Sequence, residues 1–117
     1  MPRGSPSGTP DVRRLAQLHA DFCQAFTHPT RLAILDLLRK GERSVGDLVK
    51  ATGQSQPSVS KHLAAMRHWG VVVDRRAGTQ VYYRLRDERL MRAFDLIRDV
   101  LVEYLGSLGK VATSQPR

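Results

Sequence analysis

The apolar positions between Ser44 and Trp69 predict two short helices joined by a tight turn. In the first half of this stretch they share one helical face, at Val45, Leu48 and Val49. In the second half they are spaced by four and then three residues, at Val59, Leu63 and Met66. Two short amphipathic helices in direct succession are typical of a helix-turn-helix unit.

Polar residues at the ends of these segments predict the boundaries of the two helices. Ser44 and Asp47 have the spacing of a capping box, with aspartate in place of the usual glutamate. Gly53 occupies the position at which a helix commonly ends in a left-handed residue. Ser55 is placed to cap the second helix, and Pro57 falls in its first turn, where a missing N–H costs little.

The face of the second helix opposite Val59 and Leu63 carries small or hydrogen-bonding side chains, and no acidic residue occurs from Gln54 to His68. A helix that enters the major groove of DNA needs such side chains, whereas a carboxylate would repel phosphate. The alternative is an ordinary solvated face, although such faces usually mix glutamate with lysine. We expect DNA contacts from seven residues, which are Gln54, Ser55, Gln56, Ser58, Ser60, Lys61 and His62.

A basic hairpin is predicted directly after the second helix. Residues 71–73 are three valines that favour one strand, and residues 80–85 alternate in polarity as in a second strand, with a turn at residues 77–79. We expect this hairpin to contact the phosphate backbone or the minor groove through Arg75, Arg76, Thr79 and Gln80. The alternative is a solvated basic loop.

Three further helices are predicted around this unit. One runs from about Asp11 to Phe26, one begins at Pro29 and is too apolar to lie on the surface, and one runs from about Asp87 to Leu108. The last carries a heptad seam. We expect the first and last helices to form a dimer interface, through Leu15, Leu18, Phe22, Leu90, Phe94, Ile97, Leu101 and Tyr104. The alternative is a single broad core face within one chain.

The overall charge of the chain is strongly basic. Its 117 residues include 19 Lys and Arg against 11 Asp and Glu, a formal net charge of +8. A basic chain suggests a polyanionic partner, the alternatives being an anionic membrane surface or no partner. The length fits one domain, predicted at residues 11–108, between tails at 1–10 and 109–117 that we expect to be disordered.

Membrane and catalytic functions are not indicated by the sequence. No apolar run is long enough to span a bilayer and the N-terminus lacks a signal-peptide pattern, so we expect a cytoplasmic protein. There is no phosphate-binding glycine loop or nucleophile elbow, and the acids and histidines do not cluster. The single cysteine, Cys23, excludes an intrachain disulfide. We therefore expect that the protein is not an enzyme.

Three segments resemble motifs of the ArsR/SmtB transcriptional repressors. Residues 28–35 (HPTRLAIL) resemble the opening signature, residues 55–63 (SQPSVSKHL) the recognition helix, and residues 75–83 (RRAGTQVYY) the wing. The resemblance covers about residues 12–105. It implies a mainly α winged helix-turn-helix fold with a β-hairpin wing. It also implies a homodimer, joined through its first and last helices, that leaves a palindromic operator on double-stranded DNA when an inducer binds.

The metal sites of that family do not carry over to this sequence. One uses Cys-x-Cys where this chain has Ser44 and Gly46. The other uses Asp-x-His and a later histidine on the last helix, where Asp87 is followed by Arg89 and no histidine follows. We therefore expect no metal cofactor.

Cys23 and His19 are the remaining candidates for a sensor. They lie four residues apart on one helix, so they share a face and are placed to bind a soft metal together. A reactive lone thiol is a second hypothesis, and a buried inert cysteine is the default. The inducer stays unknown. The competing function is a winged-helix module that binds an acidic protein without operator specificity.

Overall fold

The computed structural model describes residues 11–109. Their elements, in chain order, are α1 (Val12–Gln24), α2 (Pro29–Leu38), β1 (Arg43–Ser44), α3 (Val45–Thr52), α4 (Gln56–His68), β2 (Val72–Ala77), β3 (Gln80–Leu85) and α5 (Arg89–Ser107). All but α5 belong to one compact unit that ends at Arg86, and α5 belongs to a second unit that begins at Asp87. The tails predicted at 1–10 and from 110 onward lie outside the described residues, whereas Gly109 is described and lies in a turn after α5.

Side chains cap the helices at the predicted positions. The Asp11 carboxylate accepts the backbone N–H of Arg14 at 2.8 Å, and Nδ1 of His28 accepts that of Thr30 at 3.0 Å. Ser44 and Asp47 form both hydrogen bonds of a capping box at the start of α3. Each such cap typically stabilises a helix by about 1 kcal/mol. The N-termini of α1, α2 and α3 are thus fixed by local sequence.

The helix-turn-helix consists of α3 and α4, as predicted. Gly53 ends α3 in the left-handed region with φ of 71°, and Ser55 caps α4. The core beneath the two helices contains side chains that are fully buried, at Ile34, Leu35, Leu48, Val59, Leu63 and Met66. Because α2 supplies the first two of these side chains, the helix-turn-helix packs against α2.

The wing is a hairpin of β2 and β3, in register from Val72 opposite Leu85 to Ala77 opposite Gln80. The connecting turn is therefore two residues long, and Gly78 adopts φ of 63°, which a side chain would oppose. The predicted three-residue turn was one residue too long, because Ala77 continues the strand.

A third strand, β1, was not predicted. It pairs antiparallel with β3, placing Arg43 opposite Tyr83 and Ser44 opposite Tyr82, so that the sheet order is β1-β3-β2. Two residues are too few to show an alternating pattern, which is why the sequence gives no sign of it. The strand leads directly into α3 and so attaches the wing to the helix-turn-helix.

The second unit is the long helix α5. It begins at Arg89, two residues later than the sequence predicts, and its buried side chains are Met91 and Phe94. Phe94 is 8% exposed within one chain, and its place on the seam toward a second copy stays a prediction. The later part of the helix differs, because a continuous apolar face is exposed there, at Leu96, Ile97, Val100, Leu101 and Tyr104.

Candidate nucleic-acid interface

Two opposite faces of α4 separate the core from a candidate DNA-reading surface. Val59, Leu63 and Met66 point inward and are fully buried. The opposite side is exposed and carries Gln56, Ser60, Lys61, Ala64 and His68. These are small, neutral or basic side chains, so the exposed face has the steric and charge properties that entry into a major groove requires.

The first turn of α4 forms a small hydrogen-bond network. Ser55 Oγ accepts the backbone N–H of Ser58 at 3.2 Å, and the Ser58 hydroxyl donates to Oε1 of Gln54 at 3.2 Å. The carbonyl oxygen of the Gln54 amide is thereby engaged, which leaves its NH₂ group as the outward donor. These three residues share one local arrangement at the exposed end of α4.

His62 does not lie where the sequence analysis placed it. It is 8% exposed and belongs to the inward side of α4, because it stands three residues after Val59 and four before Met66. Nδ1 of His62 accepts the Arg31 Nε–H at 3.0 Å, and its ring lies 4.4 Å from that of His28. This burial counts against a direct base contact from His62, and the bond to Arg31 gives the residue a role as an internal support.

The electrostatic surroundings of His62 favour its neutral form. Burial lowers the pKa of the imidazole below its usual 6.5, and the positive charges of His28, Arg31 and Lys61 lower it further. A protonated His62 would also lose Nδ1 as an acceptor for Arg31. The contact between α2 and α4 thus depends on an uncharged histidine.

Arg31 links α4 to the end of α1 and was not singled out from the sequence. Besides the bond to His62, its Nη1 donates to the backbone carbonyls of Gln24 at 3.2 Å and Ala25 at 3.4 Å. These carbonyls belong to the C-terminal end of α1, where no helical partner is available. The sequence signal was a basic residue directly before the mostly apolar remainder of α2.

The two predicted wing arginines have different surroundings. Arg75 forms a bidentate ion pair with Glu42, with Nε and Nη2 at 2.8 and 2.7 Å from the carboxylate oxygens. Its guanidinium also lies 4.8 Å from the centre of the Tyr82 ring. Arg76 is exposed, and no acidic side chain in the described range pairs with it. Of the two arginines predicted to contact DNA, Arg75 is therefore bound by a carboxylate, and its contact with DNA stays a prediction.

Thr79 and Gln80 lie at the tip of the wing. Both are exposed, and they follow the tight turn at Gly78. With Arg76 they form an exposed polar edge without a carboxylate. The structure therefore provides a wing tip whose residue types suit contacts to phosphate or to a groove edge.

Comparison with known proteins identifies the family of the chain. Residues 28–73 match the family described as "Bacterial regulatory protein, arsR family". The regulator NmtR of Mycobacterium tuberculosis is 40% identical over 93 residues, which cover 80% of this chain and 77% of that protein. The chain belongs to the arsR family. This family consists of regulatory proteins, so the protein is a transcriptional regulator of the helix-turn-helix class and not an enzyme.

Two further relatives extend the comparison. The regulator Rv0324 of M. tuberculosis is 39% identical over 89 residues, but the match spans 76% of this chain and only 39% of that protein. A solution structure from Mycobacterium bovis, Mb0332, is described as a homodimeric winged helix-turn-helix DNA-binding domain. It is 40% identical, covers 85% of this chain and 93% of its own, and superimposes with a TM-score of 0.70. The winged helix-turn-helix fold is thereby confirmed.

The positions of the two arsR-family metal sites have structural roles in this chain. Ser44 caps α3, and Asp87 is bound by the Arg89 guanidinium, with 2.6 Å between Nη2 and Oδ2. These hydrogen bonds hold the pKa of Asp87 down to about 2. Among residues 11–109, no three His, Cys, Asp or Glu side chains lie close enough together to hold a metal ion.

The predicted sensor pair lies on α1. Cys23 is half-buried and His19 is exposed. Phe22, which precedes the cysteine, packs edge-on against Phe26 at 5.4 Å and Trp69 at 6.1 Å. Phe22 therefore packs against aromatic side chains of its own chain, and its place in a dimer interface stays a prediction. The hypothesis that Cys23 is structural stays a prediction.

The length and hydropathy of the helices bear on membrane insertion. None of those between residues 11 and 109 combines the length and the apolar character that a bilayer crossing demands.

Proposed function

We propose that the protein is a homodimeric transcriptional repressor that binds a palindromic operator with α4 in the major groove and the wing beside it. The observation that supports this most strongly is the exposed face of α4, which has no acidic residue from Gln54 to His68 and a fully buried opposite side. The proposed base-reading residues are Gln54, Gln56, Ser60 and Lys61, together with Ser55 and Ser58 at the start of the helix. The proposed wing contacts are Arg76, Thr79 and Gln80.

The proposal of a dimer rests on exposed apolar surface. On α5, Leu96, Ile97 and Val100 are 66–67% exposed, and Leu101 and Tyr104 are 51% and 60% exposed. On α1, Leu15 is 50% exposed and Leu18 is half-buried. Apolar faces of this kind are rarely left to water, and a two-fold pair would place two recognition helices about 34 Å apart, one turn of DNA.

The dimer is tested by sedimentation at micromolar concentration. The wild-type protein is expected to be dimeric and Leu101→Asp monomeric, because the charge would be buried in the interface. Val102→Asp is the matched control, since it lies on the next position of the same helix but 100° away. A wild type that sediments as a monomer, or equal dimerisation of both variants, would remove α5 from the interface.

Operator binding is tested by footprinting the DNA upstream of the protein's own gene. The wild type is expected to protect two half-sites one helical turn apart. Arg76→Ala should weaken binding to all DNA sequences and reduce the salt dependence, whereas Arg92→Ala on α5 removes the same charge without these effects. Retention of an acidic protein with no preference among DNA sequences would favour the alternative, a protein-interaction module.

A further inference from the structure

The ion pair between Glu42 and Arg75 has a consequence for DNA binding that follows from its geometry. Glu42 precedes β1, and Arg75 lies on β2, opposite Tyr82 of β3. The carboxylate occupies the Nε and Nη2 edge of the guanidinium, which is one of the edges that can bind a phosphate in bidentate fashion. The remaining face of the guanidinium lies over the Tyr82 ring at 4.8 Å.

We propose that Glu42 masks Arg75, so that this acidic residue lowers the sequence-independent affinity of the wing for DNA. The inference rests on the proposed function. An arginine whose charge and whose fork are both occupied by a carboxylate releases no counterion from DNA. It can bind a phosphate through the Nε and Nη2 edge only after it gives up that partner. Of the two arginines predicted to contact DNA from the wing, only Arg76 is therefore without a carboxylate partner among the described residues.

The exposure of the two side chains indicates that the ion pair lies on the surface and is not part of the core. The Arg75 side chain is 55% exposed and that of Glu42 is 30% exposed. A phosphate can therefore reach the guanidinium once the carboxylate is removed. Exposed ion pairs contribute little to folding, so a variant of Glu42 is expected to fold normally and to report on binding alone.

The test measures the affinity for operator and for unrelated DNA against salt concentration, for the wild type and Glu42→Gln. Freeing one arginine on each subunit adds about two phosphate contacts per dimer and steepens the slope of log K against log salt by about 1.8. Glu42→Gln should thus bind both DNAs more tightly at low salt. Its advantage over the wild type should fall about tenfold between about 50 and 200 mM salt.

Two control variants separate masking from a simple change of net charge. Glu88→Gln removes the same charge at an exposed position before α5 and should leave the slope unchanged. Glu42→Asp keeps the charge but shortens the side chain by one methylene, so the bidentate pair is lost. Masking predicts that it behaves like Glu42→Gln, whereas a net-charge effect predicts that it behaves like the wild type.

The outcomes distinguish failure of this inference from failure of the proposed function. If the wild type binds no DNA, the proposed function is wrong. Masking is overturned if the wild type binds its operator and Glu42→Gln binds DNA no more tightly, with an unchanged salt slope. An affinity of Glu42→Gln below that of the wild type would mean that Glu42 positions Arg75 for contact. Hydrogen exchange at the Arg75 Nε–H, measured by NMR, should be slow in the wild type and faster in Glu42→Gln and Glu42→Asp.

Discussion

Arg31 beneath the recognition helix and Arg75 on the wing are both held by hydrogen bonds, but their acceptors differ in charge. Arg31 donates to a neutral imidazole and to two backbone carbonyls. Arg75 donates to a carboxylate. The first arginine keeps its charge and ties three helices together, whereas the second has its charge cancelled on the surface. The number of basic residues on the wing is therefore larger than the number of positive charges available to contact phosphate.

The same difference predicts which conditions affect each region. The contact beneath α4 is partly buried and requires a neutral histidine, so it is sensitive to protons and little affected by salt. The wing pair is exposed and ionic, so it is sensitive to salt. Because hydrogen bonding to Arg75 lowers the pKa of Glu42, the pair also persists to acidic pH.

The largest expected difference between the two regions comes from the same substitution at each arginine. Arg31→Met leaves His62 Nδ1 and the carbonyls of Gln24 and Ala25 without their donor. We expect a loss of about 2 kcal/mol in the free energy of unfolding, since the bonds to His62 and Ala25 are partly buried and each unpaired buried acceptor costs about 1–3 kcal/mol. Arg75→Met should have a much smaller effect. Urea unfolding, followed by the fluorescence of Trp69, the single tryptophan, measures both. Equal losses of stability in Arg31→Met and Arg75→Met would contradict the conclusion that only Arg31 supports the fold.

A second prediction separates base reading by α4 from phosphate contact by the wing. Gln56→Ala should reduce the affinity for the operator by about 1–3 kcal/mol and leave the affinity for unrelated DNA nearly unchanged, because a base contact is lost. Arg76→Ala should instead weaken both. Competition binding with operator and unrelated DNA measures the ratio. If Gln56→Ala weakens both DNAs equally, Gln56 only positions the helix.

The parts of the fold that the sequence predicts correctly are those fixed by neighbouring residues. The capping box of Ser44 and Asp47, the left-handed Gly53 and the cap at Ser55 are local, and they place the helix-turn-helix correctly. His62 was misplaced because a polar residue at the margin of a helical wheel was assumed to face water. The pair of Glu42 and Arg75 joins residues 33 apart in sequence, so no local pattern indicates it.

A third prediction concerns pH and the support beneath α4. His62 has a lowered pKa in the folded chain, so the unfolded chain takes up a proton near pH 6.5 while the folded chain does not. Proton uptake therefore favours unfolding, and wild-type stability should fall as the pH drops below about 6.5. His62→Gln should lack this part of the pH dependence, and His68→Gln, a control at an exposed histidine, should retain it. The measurement is the free energy of unfolding of the wild type and both variants between about pH 5 and 8. Identical profiles for the wild type and His62→Gln would contradict it.

The smallest expected effect concerns the stability of the wing in the absence of DNA. Glu42→Gln should lower the urea midpoint slightly at low salt, because an exposed ion pair is lost. The difference from the wild type should vanish near 1 M NaCl, where charges are screened beyond about 3 Å. Loss of stability comparable to that of Arg31→Met, persisting at high salt, would mean that the pair belongs to the cooperative core. The wing would then be fixed in the same way as the recognition helix, and the contrast between the two regions would fail.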